Sequence, residues 1–188
     1  MRRLVAGLAV LLALAGCGVG KDPVDPSPGG DNRFVSSTLV REYKPADRLP
    51  APRIQGDAVT GPRVDSGAYN GTVLVVNFWG SWCAPCRSEA QTLEDIYATS
   101  RDLGVQFVGV NIRDAKDRAA AFERAYGITY PSVYDSAGRV ALGFRRTPPV
   151  GTPATVLVDR QGRVAAVYSR EVRYGELKAA VDALAAER

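Results

Sequence analysis

The chain has 188 residues, 46% of them hydrophobic and 23% charged, the composition of one ordinary globular domain with an appendage. With three cysteines and no histidine it can assemble neither a Cys–His nucleophile pair nor a four-ligand Cys/His zinc site, and copper would meet thiolates without imidazole. The formal charge of +4 includes Arg2 and Arg3 of a segment expected to be removed, and no basic run alternates with aromatics, so nucleic acid is not an expected partner.

Met1 to Gly16 reads as an export signal. Arg2-Arg3 precede an apolar run from Leu4 to Ala15 that is too short for a ~20-residue membrane span. The run ends in Leu14-Ala15-Gly16-Cys17, which resembles the bacterial lipobox. That resemblance implies cleavage before Cys17 and a diacylglyceryl group on its sulfur. The alternative is an ordinary secretory signal with an incidental cysteine. Anchoring by more than one acyl chain would be stable and would hold the protein on the extracytoplasmic face of the cell membrane.

Residues 17–50 are expected to form a flexible tether and an extended arm ahead of a domain spanning 51–188. Gly18 to Gly30 is rich in proline and glycine, with almost nothing to bury. Phe34-Val35 and Thr38-Leu39-Val40 suit a short hairpin or an arm, and Pro45 to Pro52 interrupts regular structure. Ile54 to Val59 and the segment near Val64 pattern as a hairpin turning at Thr60-Gly61-Pro62.

Val73 to Phe78 is an unbroken, β-branched apolar run, the pattern of a buried central strand. After Gly80-Ser81 the apolar period changes, and Ala90, Leu93, Ile96 and Tyr97 mark one face of a helix from Ala84 to about Asp102. Val105 to Val110 is a second strand, giving a βαβ unit with a parallel pair and a right-handed crossover. Asp114 is placed to cap a second helix that stops at Gly127, with Ala115, Ala119, Phe122 and Tyr126 inward. Ser132 to Tyr134 suits a short strand, Asp135 to Gly138 a turn, and Arg145 to Pro149 a loop. Ala154 to Val158 and Arg163 to Tyr168 form a hairpin, and Leu177, Ala180, Val181 and Leu184 stripe a last helix that docks on the sheet.

The chemistry converges on Cys83 and Cys86. Cys83 falls at a helix N-terminus, where unpaired N–H groups and the helix dipole stabilise a thiolate. Cys86, one turn on, shares its face and can close a disulfide with it. A Cys-x-x-Cys pair is open to three readings: a structural disulfide, half of a zinc site, or a redox centre. Partner ligands for zinc are missing, and a four-residue loop gains little from a structural cross-link. The redox reading is preferred, with the dithiol itself as the reactive group and no further cofactor or metal.

Trp82-Cys83-Ala84-Pro85-Cys86 after an apolar strand, with Thr152-Pro153 before a hairpin strand, resembles the thioredoxin superfamily. The longer stretch from Val76 to Glu89 is similar to the TlpA/ResA-type branch of membrane-tethered extracytoplasmic thioredoxins. The resemblance covers about Ala51 to Arg188. It implies an α/β thioredoxin fold with a central mixed sheet flanked by helices, an N-terminal hairpin, and a central insertion between Asn111 and about Val150. It also implies an exposed Cys83 that attacks the partner disulfide and a more buried Cys86 that resolves the mixed disulfide. Thr152–Pro153 would be cis and lie against the disulfide, where Thr152 meets a bound strand; the alternative is a trans proline opening a strand. Trp82 would be an exposed wall beside the thiols, and Ala84-Pro85 would tune the potential. Thioredoxin has an aspartate where this chain has Asn77, so that proton relay is absent. ResA-type proteins place a glutamate where this chain has Glu89, which would tune the thiols and carry protons; the alternative is a solvated acid that complements the helix dipole.

The implied function is reduction of specific protein disulfides, such as apocytochrome c haem-site cysteines during cytochrome c biogenesis, by a monomer re-reduced through a membrane thiol carrier. Two alternatives stand beside it. One is an oxidase that introduces disulfides into exported proteins; the other is a non-enzymatic lipoprotein whose Cys83–Cys86 bond braces a binding surface.

Overall fold

The structure, a computed structural model, describes residues 39–187; the signal segment, Cys17 and the Gly18–Gly30 stretch lie outside them. Its centre is β5 (Val73–Trp79), in which every residue is buried. It has strands on both sides. β6 (Val105–Ile112) runs parallel to it, from Val73 opposite Val105 to Trp79 opposite Asn111. β8 (Ala154–Val158) runs antiparallel, from Leu74 opposite Val158 to Phe78 opposite Ala154. A strand flanked on both edges and covered on both faces can be apolar throughout, and β5 is so at every position but Asn77.

β9 (Arg163–Tyr168) completes the hairpin with β8, and β7 (Ser132–Asp135) adds a parallel strand to β6. The outer edge of β9 carries β1 (Val40–Glu42) and, further along, β2 (Leu49–Pro50). Within the stretch expected as an arm ahead of the domain, Val40–Glu42 and Leu49–Pro50 are therefore edge strands of the main sheet, joined through a 3-10 turn at Pro45–Asp47. The remaining pair, β3 (Gln55–Gly56) and β4 (Val64–Asp65), forms a separate small hairpin that a bridge from Ala58 to Val133 ties to β7.

Side chains alternate across β5 and sort into two cores. Val73 and Val75 pack with Leu93 and Ile96 of α1 (Ala84–Ser100) and with Leu177, Val181 and Leu184 of α4 (Tyr174–Ala186). Leu74, Val76 and Phe78 face the other way, onto Ile54, Val64 and Phe144. The Phe78 and Phe144 rings meet edge to face at 5.9 Å. Each fully buried Leu, Ile or Phe contributes roughly 1.5–3 kcal/mol relative to exposure. Phe144 follows α3 (Val140–Gly143), a short turn of helix in a stretch with no helical apolar period; Asp135 stabilises it by accepting bonds from the N–H groups of Arg139 and Val140.

The insertion also contains α2 (Lys116–Tyr126), which ends at Gly127 with a left-handed φ of 62°. Its N-cap is Ala115 and not Asp114, which corrects the expectation of an aspartate cap. The Asp114 side chain instead gathers the Ala115 N–H together with donors from Ser81 and Asn111.

Candidate active site

Beyond Trp79 the chain turns through Gly80 and Ser81 into α1. A Cβ on Gly80 would stand 2.6 Å from Trp82 Nε1, so only glycine lets the indole fold back over this turn. Trp82 remains half exposed, with its Nε1–H directed at the carbonyl of Ile112, 3.4 Å away. Cys83 is the N-cap of α1, and its sulfur accepts a bond from the Cys86 N–H at 3.2 Å. Ala84 and Pro85 make up the first turn, where proline's missing N–H leaves no helical bond unmade. The two sulfurs are joined in a disulfide, with Cα atoms 5.3 Å apart.

Cys83 is not the exposed member that was expected. It retains 4% of its surface and Cys86 only 1%, because Trp79, Ala90, Ala119 and Phe122 pack against the pair from within. The insertion helix thus forms part of the wall behind the disulfide, and Trp79 stacks on Phe122 at 4.6 Å.

The Thr152–Pro153 peptide bond is cis. Pro153 directly precedes Ala154, which pairs with Phe78 two residues before Gly80, so the proline loop and the Cys pair share one end of the sheet. Thr152 is half-buried and Pro153 buried.

Glu89 is no solvated acid. Only 1% exposed, it accepts bonds from Asn77 Nδ2 at 2.9 Å and from the Val172 N–H at 3.0 Å. Burial pushes its carboxyl up to about 7, although those two bonds pull the other way; nearby Glu171 adds to the rise. Asn77, which also donates to Thr155 Oγ1 at 3.2 Å, lines a cavity of about 10 Å³ together with Cys86, Ala90 and Tyr130. Asn77 therefore touches both the buried acid and the cavity that Cys86 lines, a role that its polarity inside an apolar strand hinted at.

Sequence reasoning gave Ser81 no role and Asp114 the wrong one. The Ser81 N–H and hydroxyl donate to the Asp114 carboxylate at 2.6 and 2.9 Å, and Asn111 and Ala115 donate to it as well. Burial acts to raise the Asp114 pKa; the bonds from Ser81, Asn111 and Ala115 outweigh it and hold the carboxyl below its ordinary value.

A central strand with a parallel neighbour on one side, an antiparallel hairpin on the other, a cysteine pair opening the next helix and a cis proline before the hairpin together define a thioredoxin fold. The chain belongs to the AhpC/TSA family, whose pattern matches residues 48–167. It is similar to the thiol-disulfide oxidoreductase ResA of Bacillus subtilis, at 30% identity over 119 residues, or 63% of this chain and 65% of that protein. It is also similar to the thiol:disulfide interchange protein HelX of Rhodobacter capsulatus, at 33% identity over 116 residues, or 61% of this chain and 62% of that one. The matches thus span a little under two thirds of these relatives' lengths. Among solved structures, a DsbF homologue from Corynebacterium diphtheriae superposes with a TM-score of 0.75 at 36% identity, covering 79% of this chain and 95% of that one. A secreted thiol-disulfide isomerase from Corynebacterium glutamicum gives a TM-score of 0.76 at 33% identity, covering 81% and 95% respectively.

Proposed function

We propose that this chain is an extracytoplasmic thiol–disulfide oxidoreductase, held at the membrane through a lipid on Cys17 and working as a reductant of specific protein disulfides. The observation that carries the reading is a Cys83–Cys86 pair at the head of a helix, backed by a buried carboxyl whose pKa lies near neutrality. The names of ResA and HelX and the secreted Corynebacterium relative support it.

In the reduced protein the Cys83 thiolate, stabilised by the first-turn N–H groups, attacks one sulfur of a substrate disulfide. The substrate S–S bond breaks, a mixed disulfide forms, and the other substrate sulfur leaves as a thiolate that takes up a proton. Cys86, losing its proton toward Glu89, then attacks the Cys83 sulfur and releases the substrate's second thiol. Two electrons pass to the substrate, and the Cys83–Cys86 disulfide remains. A carboxyl near pKa 7 can take and return that proton at neutral pH. The Thr152-Pro153 loop offers backbone to the substrate strand, with Trp82, Ala84 and Pro85 as its floor. Apocytochrome c haem-site cysteines are the substrate we favour, and a membrane thiol carrier the electron source.

The test is insulin reduction with a regenerating thiol, together with the reduction potential of the couple. Turnover that disappears in Cys83→Ser and a strongly reducing potential are the expected results. A potential in the range of disulfide-introducing oxidases would reverse the direction, and no exchange by the unaltered protein would end the enzymatic reading.

A further inference from the structure

Strand direction brings the ends of β5, β6, β7 and β9 and the start of β8 together at the disulfide end of the sheet. At this end, acids and bases point opposite ways. The carboxylates of Glu89, Asp114 and Asp135 are buried and accept bonds from backbone N–H groups. Arg87 lies in the first turn of α1, Arg113 just beyond β6, Arg118 in the first turn of α2 and Arg173 at the start of α4. Arg145 and Arg146 lie between Phe144, which meets Phe78, and Val150, which is bonded to Ser169 beyond β9; all six are exposed. Exposed acids at the same end are Asp117, Glu171 and Asp57, the last held to β7 by the Tyr134 N–H and paired with Arg63.

Elsewhere the arginines are mixed: Arg48, Arg53, Arg63 and Arg163 each face a carboxylate, while Arg41, Arg124 and Arg139 are exposed without one among the described residues. Among the described residues, no carboxylate lies within ion-pair distance of Arg87, Arg113, Arg145, Arg146 or Arg173, while Arg118 stands 3.7 Å from Asp114. Trp82 and Val150, both more than half exposed, supply apolar surface between the charges.

Resting on the thiol–disulfide exchange reading above, we propose that this arginine rim is a docking surface for acidic polypeptide, selecting substrates whose disulfide is flanked by Asp or Glu. Guanidinium groups bind carboxylates bidentately, and a field of one sign around the reactive sulfurs steers oppositely charged segments onto them. A peptide fits where an anionic membrane surface does not. Arg87, Arg113, Arg118 and Arg173 sit where α1, α2 and α4 begin and β6 ends, at the same end of the sheet as the sulfurs, so a lipid face resting on them would bar other substrates from the disulfide.

The experiment uses the reduced full chain and two disulfide-cyclised peptides of equal length, one with Glu and Asp beside its cysteines and one with Lys, with neutral hydroxyethyl disulfide as reference. The acidic peptide should react faster on the order of tenfold at low salt, with the advantage shrinking as ionic strength rises. Arg145→Glu with Arg146→Glu should lessen that preference and leave the hydroxyethyl disulfide rate unchanged. Equal rates for the two peptides, with hydroxyethyl disulfide still reduced, overturn the docking surface alone. No reduction of any disulfide overturns the exchange reading beneath it. Equal peptide rates with a preference for phosphatidylglycerol over phosphatidylcholine vesicles that the double variant loses would assign the rim to lipid and overturn the proposal.

Discussion

Asp114 holds Ser81 twice, through its backbone N–H at 2.6 Å and its hydroxyl at 2.9 Å, and so fastens the insertion to the turn that delivers Cys83. Because these bonds go to an ionised, buried carboxylate, each carries more than a neutral hydrogen bond. Asp114→Asn turns one acceptor oxygen into a donor facing the Ser81 group and should cost about 1–3 kcal/mol, lowering the melting temperature by several degrees at pH 7. The Asp114 pKa is depressed in the fold, so its contribution is present above the unfolded value and fades as pH falls through the folded one. The gap between wild type and variant in thermal melts should therefore narrow toward pH 3; a gap that is constant with pH would show that the charge contributes nothing.

Glu89 has the opposite sign. Its folded pKa of about 7 lies above the unfolded carboxyl value, so the folded state binds the proton more tightly. Stability from this group is complete below about pH 4.5 and is lost as pH rises through 7. Relative to Glu89→Gln, the wild-type protein should lose up to about 3 kcal/mol between pH 4 and pH 8. The same substitution should remove an inflection near pH 7 from the alkylation profile of the reduced protein. Parallel melting curves and unchanged alkylation would retire the carboxyl as a titrating group.

The two cysteines should part company under substitution. Cys86→Ser leaves an attacking sulfur with nothing to release the product, so a mixed disulfide with substrate should accumulate and survive non-reducing electrophoresis. Cys83→Ser should give no adduct and no turnover. Adducts formed equally by both variants would mean that either sulfur can attack.

Gly80→Ala places a methyl group 2.6 Å from Trp82 Nε1. Trp82 is half exposed and free to swing outward, so the expected result is a displaced indole with only a small change in melting temperature. Its fluorescence should then respond less to reduction of Cys83–Cys86, and KM for a peptide disulfide should rise with little change in kcat. An unchanged fluorescence response would show that the indole does not move.

The central part of this architecture is legible because its signals are local and strong. The run from Val73 to Phe78 can only be a strand covered on both faces, and the change of period after Gly80 marks where α1 begins. The hairpin of β8 and β9 follows from two apolar runs separated by Asp159 to Gly162. What escaped depends on partners far away in the chain. β1 and β2, three and two residues long, have no period of their own and exist because β9 offers an edge. Asp114 has the spacing of a helix cap, but Ser81, 33 positions earlier, outcompetes the helix for its oxygens. The low exposure of Cys83 comes from the packing of Ala119 and Phe122 of α2, which spacing within the Cys-x-x-Cys motif does not report.

The edge strand β1 has one more consequence. Val40 pairs with Tyr168 at the far end of β9, and the Ser169 N–H donates to the carbonyl of Leu39. Ser169 Oγ in turn receives the Val150 N–H beside the proline loop. The polypeptide thus joins the sheet at its sulfur-bearing corner and not at its back. Any pull applied ahead of Leu39 would therefore reach the corner that carries the proline loop, through the Leu39–Ser169 and Ser169–Val150 bonds, before it reached the rest of the sheet.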